Sequence, residues 1–202
     1  MSALRLHDVR ALMPNYGGYR DQRRPGPVTG IAVHHSATAN HVTGVSTDTA
    51  ATIFSYHVEV RGWSHGGYHY VIRPNGLVEY ALDETIPGFH AGFVDPDDTS
   101  HLECGQFWNN HLLAVCLLGW FDADRKVAGG ATAIPNRFTS PTRAQRDATV
   151  TLLTDLARRH GLDAASIKGH RELAGCHTVC PGRNVDMDDL RRVVAAQLLV
   201  PR

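Results

Sequence analysis

The 202-residue sequence has no net charge, 20 Lys and Arg balancing 20 Asp and Glu. It therefore offers no field of one sign to gather nucleic acid or hold an anionic membrane surface. No apolar run approaches the roughly 20 residues a membrane span needs. The first twenty residues, MSALRLHDVRALMPNYGGYR, are broken by Arg5, Asp8 and Arg10 and lack the continuous apolar core of a secretory signal, so export by an N-terminal signal is not expected. Cysteine is scarce, four residues at irregular spacing. That argues against a disulfide scaffold and leaves metal binding, catalysis or burial. Repeats, low-complexity tracts and dividing linkers are missing, as is the helical His-Glu-x-x-His pattern of many zinc proteases.

What is present is a globular composition, 43% hydrophobic and 20% charged, with thirteen histidines. The length suits one domain. Residues 1–29, rich in Arg, Gly and Pro, read as an arm or short helix followed by a loop, with the domain proper over 30–202. GIAVHH at Gly30–His35 reads as a buried strand delivering two histidines to a sheet rim. A helix is expected within Ser46–Val60. The alternation around Asn75-Gly76 predicts an antiparallel hairpin, and Leu112–Phe121 a central strand with Cys116 as core. The stretch from Ser140, with Pro141 at the first helical position and Gly161 as stop, predicts a long helix. SIKGH predicts a short strand ending at His170, and Asp186 the cap of a last helix. The stretches 93–111 and 122–137 read as loops. The irregular alternation predicts a mixed α/β domain, a central mixed sheet flanked by helices.

GHRELAGCHTVCPG, Gly169–Gly182, places two histidines and two cysteines within eleven residues. A zinc site needs neutral imidazoles and thiolates converging from rigid elements, and a catalytic site keeps one position open. His34 or His35, His170 and a cysteine from the following loop would supply three ligands from strand ends.

VHHSAT, GGYHYVIRPNG, FHAG, AVCLLG, FTSPTRAQ, GHREL and TVCPG occur in that order between Val33 and Gly182. Together they resemble the type 2 N-acetylmuramoyl-L-alanine amidases, a family that includes phage amidase endolysins and peptidoglycan recognition proteins. The resemblance implies one Zn2+ held by His34, His170 and Cys180, with Tyr68 facing the zinc-bound water or the scissile carbonyl and Thr178 two positions before the ligand cysteine, where relatives carry Lys or Thr. It also places His90 of FHAG near the substrate groove, and a role in supporting the ligands or the fold is the other reading of that residue. His57, His65 and His69 read as structural. The implied activity is hydrolysis of the amide between N-acetylmuramic acid and L-alanine, with bacterial peptidoglycan as partner, neither nucleic acid nor membrane insertion, and a monomeric chain. For a phage endolysin the implied location is the host cytoplasm and then the cell wall.

Two departures stand out. The His170–Cys180 spacing is about two residues longer than in the family pattern, which introduces Cys176 and His177 and leaves Cys176 as an alternative ligand. Ala114 stands where relatives usually carry Gly. Cys104 and Cys176 both lie in apparent insertions, so a contact or disulfide between them is one reading and free thiols the other. Two other functions remain open: a recognition module that binds peptidoglycan without cutting it, and a structural zinc domain completed by His35, Cys176 or His177.

Overall fold

The computed structural model describes residues 4–14, 18, 21–38, 48–92, 105–122 and 140–201. Six strands form one sheet in the order β1-β4-β3-β5-β2-β6. They are β1 (Leu6–Asp8), β2 (Gly30–His35), β3 (Tyr70–Ile72), β4 (Val78–Tyr80), β5 (Leu112–Leu117) and β6 (Ile167–Gly169). Only the β3–β4 hairpin is antiparallel; the other four pairings are parallel. The mixed sheet expected from sequence is what forms.

The central strands β2 and β5 are buried at every position, as continuous apolar runs in parallel pairing require. Their side chains alternate between faces. One face carries Ile31, Val33, Leu113, Val115 and Leu117, with Tyr70 and Ile72 of β3. Against it pack the long helices α3 (Arg143–His160) and α4 (Met187–Leu198), through Leu152, Leu153, Leu156, Leu190 and Val194. The opposite face carries Val71, Ala81, Cys116 and Leu118 beside helix α1 (Ala50–Ser55). Ala32 and Leu112 meet Trp108 of the short helix α2 (Gly105–His111) there.

Local signals explain most boundaries. Asn75 Oδ1 accepts from the Leu77 N–H at 3.0 Å and Gly76 takes φ +79°, the left-handed value glycine tolerates. Gly161 ends α3 with φ +65°, and Asp186 caps α4 by accepting from the Asp189 N–H. Helix α3 begins two residues later than the sequence suggested. Thr142, not Ser140, is its cap, because the Thr142 hydroxyl accepts from the Gln145 N–H while donating to the Pro74 carbonyl, tying the helix to the hairpin turn.

Two other expectations change. Part of the stretch read as an arm is an edge strand, β1, parallel to β4. Part of the stretch read as a loop, 105–111, is α2. The helix expected within 46–60 is α1 capped by Thr49 and followed by a π-helical turn, Tyr56–Val60; Ser46 and Thr47 lie outside the described residues, as does almost all of 122–137.

Candidate metal centre

Period two decides between the paired histidines. His34 follows Ala32 onto the face opposite α3 and α4, whereas His35 follows Val33. His35 Nδ1 accepts from the Phe121 N–H at 3.3 Å, and its ring lies beside Trp120 and Phe121. It is thus turned away from the His34 cluster.

The parallel register supplies the second histidine. Val33 pairs with Gly169, so one residue further along, His34 and His170 stand side by side at the carboxyl ends of β2 and β6. Their ring centroids are 4.7 Å apart. Open parallel sheets place ligands at such strand ends. The chain then loops and returns: the Arg171 N–H donates to the Cys180 carbonyl at 2.7 Å, and Arg171 Nη1 to the Gly182 carbonyl at 2.7 Å. This closure delivers Cys180 Sγ to 3.6 Å from His34 Nδ1.

Among the described residues, His34, His170 and Cys180 are the one group of three or more His, Cys, Asp or Glu whose donor atoms all lie within 4.8 Å of one another. Two tetrahedral zinc bonds of about 2.3 Å to sulfur and about 2.05 Å to nitrogen would separate S and N by about 3.6 Å. The donor set therefore fits zinc in type, and the Cys180–His34 separation fits it in distance.

Burial first, then the neighbouring His170 and His90, holds His34 well below the ordinary imidazole value. Burial takes His170 to about 4. Both rings are neutral near pH 7, as metal ligation requires. Burial pushes the Cys180 thiol up to about 12, opposed by the His35 N–H and Arg171. A cation is what would favour the thiolate here.

The other cysteines are elsewhere. Cys176 is in a disulfide, its Sγ 3.5 Å from the Ala91 carbonyl oxygen, while Cys116 and Cys180 are free. Cys176 is thereby removed as a thiolate ligand. The fourth cysteine, Cys104, lies outside the described residues. His177 is exposed in the loop. Of the two extra groups that the longer loop introduces, neither belongs to the close cluster.

Tyr68 packs beside His34, ring centroids 5.3 Å apart. Its place is fixed by its neighbours. The Gly67 N–H donates to His57 Nδ1 at 3.1 Å; the His69 N–H donates to the Ala114 carbonyl at 3.0 Å, and His69 Nδ1 accepts from the Ala114 N–H at 2.9 Å. His57, His65 and His69 are thus tied to backbone. A Cβ on Gly88 would lie 2.3 Å from the Gly67 carbonyl oxygen, so only glycine lets the Tyr68 loop approach the segment that carries His90. Burial, then Cys116 and Cys180, keep the Tyr68 hydroxyl protonated far above its usual range. Thr178 Oγ1 accepts from the Cys180 N–H at 3.1 Å.

Two carboxylates with the chemistry of a proton donor are engaged elsewhere. Glu79 accepts from the Ala50 N–H at 2.8 Å and pairs with Arg73, anchoring α1. Glu172 accepts from the Gly169 N–H at 2.8 Å and pairs with Arg191 at 2.7 Å.

Sequence reasoning missed Arg24 and Asn109. Arg24, from the supposed arm, donates from Nη1 to the Asn110 carbonyl at 2.6 Å and to the Leu112 carbonyl at 3.3 Å, pinning the end of α2. Asn109 Oδ1 accepts from the N–H groups of His90 and Ala91 at 2.9 and 2.8 Å. No periodic or capping signal marks either residue.

The T7 phage endolysin is 29% identical over 145 residues, 71% of this chain and 75% of that one. Peptidoglycan recognition protein 1 of Bos indicus is 26% identical over 174 residues, 86% of this chain and 74% of that one. Among solved structures, the endolysin amidase LysCS from Clostridium intestinale superposes with a TM-score of 0.64 at 20% identity, covering 97% of this chain and 96% of that chain. Residues 24–183 match the family described as N-acetylmuramoyl-L-alanine amidase (Amidase_2), and the chain belongs to that family.

Proposed function

We propose that this protein hydrolyses the amide between the lactyl group of N-acetylmuramic acid and L-alanine in peptidoglycan, with one zinc ion held by His34, His170 and Cys180. The observation that carries the reading is the convergence of those three donors, with Tyr68 against them, in a member of the amidase family. Bound there, zinc would activate water near neutral pH and polarise the scissile carbonyl.

The chain's own groups do the rest. His34 and His170 enter neutral, so two of the three donors are ready without losing a proton. The Tyr68 hydroxyl, kept protonated by burial, can donate to an oxygen that gains charge as the amide carbon becomes tetrahedral. Thr178 accepts the Cys180 N–H, which steadies the ligand, and keeps its own proton for donation. The chain acts on the wall as a monomer.

The reading is tested by zinc content and release of soluble fragments from purified peptidoglycan, for the wild type, Cys180→Ala and Cys176→Ala. Wild type and Cys176→Ala are expected to hold zinc and release fragments, and Cys180→Ala to do neither. A wild type that binds zinc and peptidoglycan but releases nothing would point to recognition without cleavage.

A further inference from the structure

His34 is not held by the metal site alone. His34 presents Nδ1 to Cys180 Sγ at 3.6 Å, and its other nitrogen, Nε2, lies 3.0 Å from Nδ1 of His90. One of these two nitrogens must donate and the other accept. Ligation through His34 Nδ1, the nitrogen that faces Cys180 Sγ, needs its lone pair there and its proton on Nε2; the proton of His90 then belongs on its own Nε2, which is buried without a well-aligned partner among the described residues. His90 Nδ1 is then the acceptor and His34 Nε2 the donor.

His90 and Ala91 are consecutive, and both of their N–H groups converge on one acceptor, Oδ1 of Asn109. Asn109 is itself buried at 7% exposure, and Arg24 holds the carbonyls of Asn110 and Leu112 behind it.

We propose that Asn109 and His90 are positioning residues: Asn109 clamps the His90–Ala91 backbone so that the His90 ring sets the tautomer and direction of the His34 donor. Second partners of this kind orient ligating imidazoles and raise their basicity, and their loss typically weakens metal binding about 10- to 100-fold. Asparagine suits the clamp because one side-chain oxygen has two lone pairs for two backbone donors. The inference rests on the metal-site reading above but not on the reaction.

The test measures zinc affinity by chelator competition for the wild type, His90→Ala, His90→Asn, Asn109→Ala and Asn109→Asp. Long-range 1H–15N spectra of the imidazoles in the zinc-loaded wild type accompany it. Asn at position 90 keeps an acceptor where Nδ1 stood, and Asp at 109 keeps the double acceptor. The two alanine variants are expected to bind zinc roughly 10- to 100-fold more weakly, and the two conservative variants to stay within about threefold of wild type. The His34 spectrum is expected to show its proton on Nε2. Wild-type affinity in His90→Ala, equal loss in His90→Asn, or a His34 proton on Nδ1 in the wild type would overturn the relay. The spectrum needs no variant, so misfolding of a variant does not shield the proposal. A wild type that shows these affinities but cuts no peptidoglycan leaves the relay standing and removes the amidase reading. Cleavage with unchanged zinc affinity in His90→Ala does the reverse.

Discussion

The two faces of the sheet differ in what they bury. Toward α3 and α4 the strands present Ile31, Val33, Leu113, Val115 and Leu117, large aliphatic groups at or near zero exposure. Toward the site, beyond Leu112, the same strands present Ala32, His34, Ala114 and Cys116, small or polar. Each buried aliphatic side chain contributes about 1.5–3 kcal/mol, whereas a buried histidine must be kept neutral and hydrogen-bonded to cost little. One face therefore stabilises the sheet and the other uses that stability to keep uncharged imidazoles close together. Because the two sets alternate along single strands, a one-residue slip of register would exchange them.

Tyr68→Phe is the sharpest break of the site face. It removes one hydroxyl and no ligand, so fragment release is expected to fall about 100- to 1000-fold while zinc content stays at wild-type level. Loss of zinc would show that Tyr68 supports the fold of the site instead. On the opposite face, Leu153→Ala is expected to destabilise the protein by about 2–5 kcal/mol, measured by urea unfolding, with zinc bound per folded molecule unchanged. A parallel drop in zinc affinity would mean the faces are coupled.

Acid should act through the buried histidines first. Burial takes His35 and His57 to about 4 and His69 to about 3, below the usual value of about 6.5. Below pH 6.5 the unfolded chain thus binds more protons than the folded one, so stability falls as pH falls from about 6.5 toward 4, each such group removing up to about 1.4 kcal/mol per pH unit. Glu84 acts in the same direction at lower pH. Burial would raise it, but Arg159, Tyr70 and His160 outweigh that and hold its carboxyl below the ordinary range. Its contribution is present at neutral pH and is lost as pH falls through the folded value. Urea midpoints at pH 7, 6 and 5 that do not change would contradict this. The smallest effect is expected from Cys176→Ala, which leaves the His34–His170–Cys180 cluster intact; zinc stoichiometry should not move.

How much of this was legible in sequence depended on range. Strand β2, the Asn75-Gly76 turn, the Gly161 stop and the Asp186 cap are local signals, and each appears where it was read; β5 begins at Leu112 as read but ends at Leu117 rather than Phe121. His34, His170, Cys180 and Tyr68 were reached through motifs in family order, and the choice of His34 over His35 also follows from strand alternation. The edge strand β1 could not be read, because three exposed residues carry no alternation and pair with β4 seventy positions away. Helix α2 lacks an acidic first turn and sits in a polar stretch. Asn109 and Arg24 act on backbone groups brought near only by folding, and side chains that bond distant carbonyls leave no periodic mark.

The most direct test of the central claim is zinc X-ray absorption on the metal-loaded wild type. The account predicts one sulfur at about 2.3 Å and two imidazole nitrogens at about 2.0–2.1 Å, with the remaining donor a light atom. Two sulfurs, or none, would contradict the assignment of His34, His170 and Cys180.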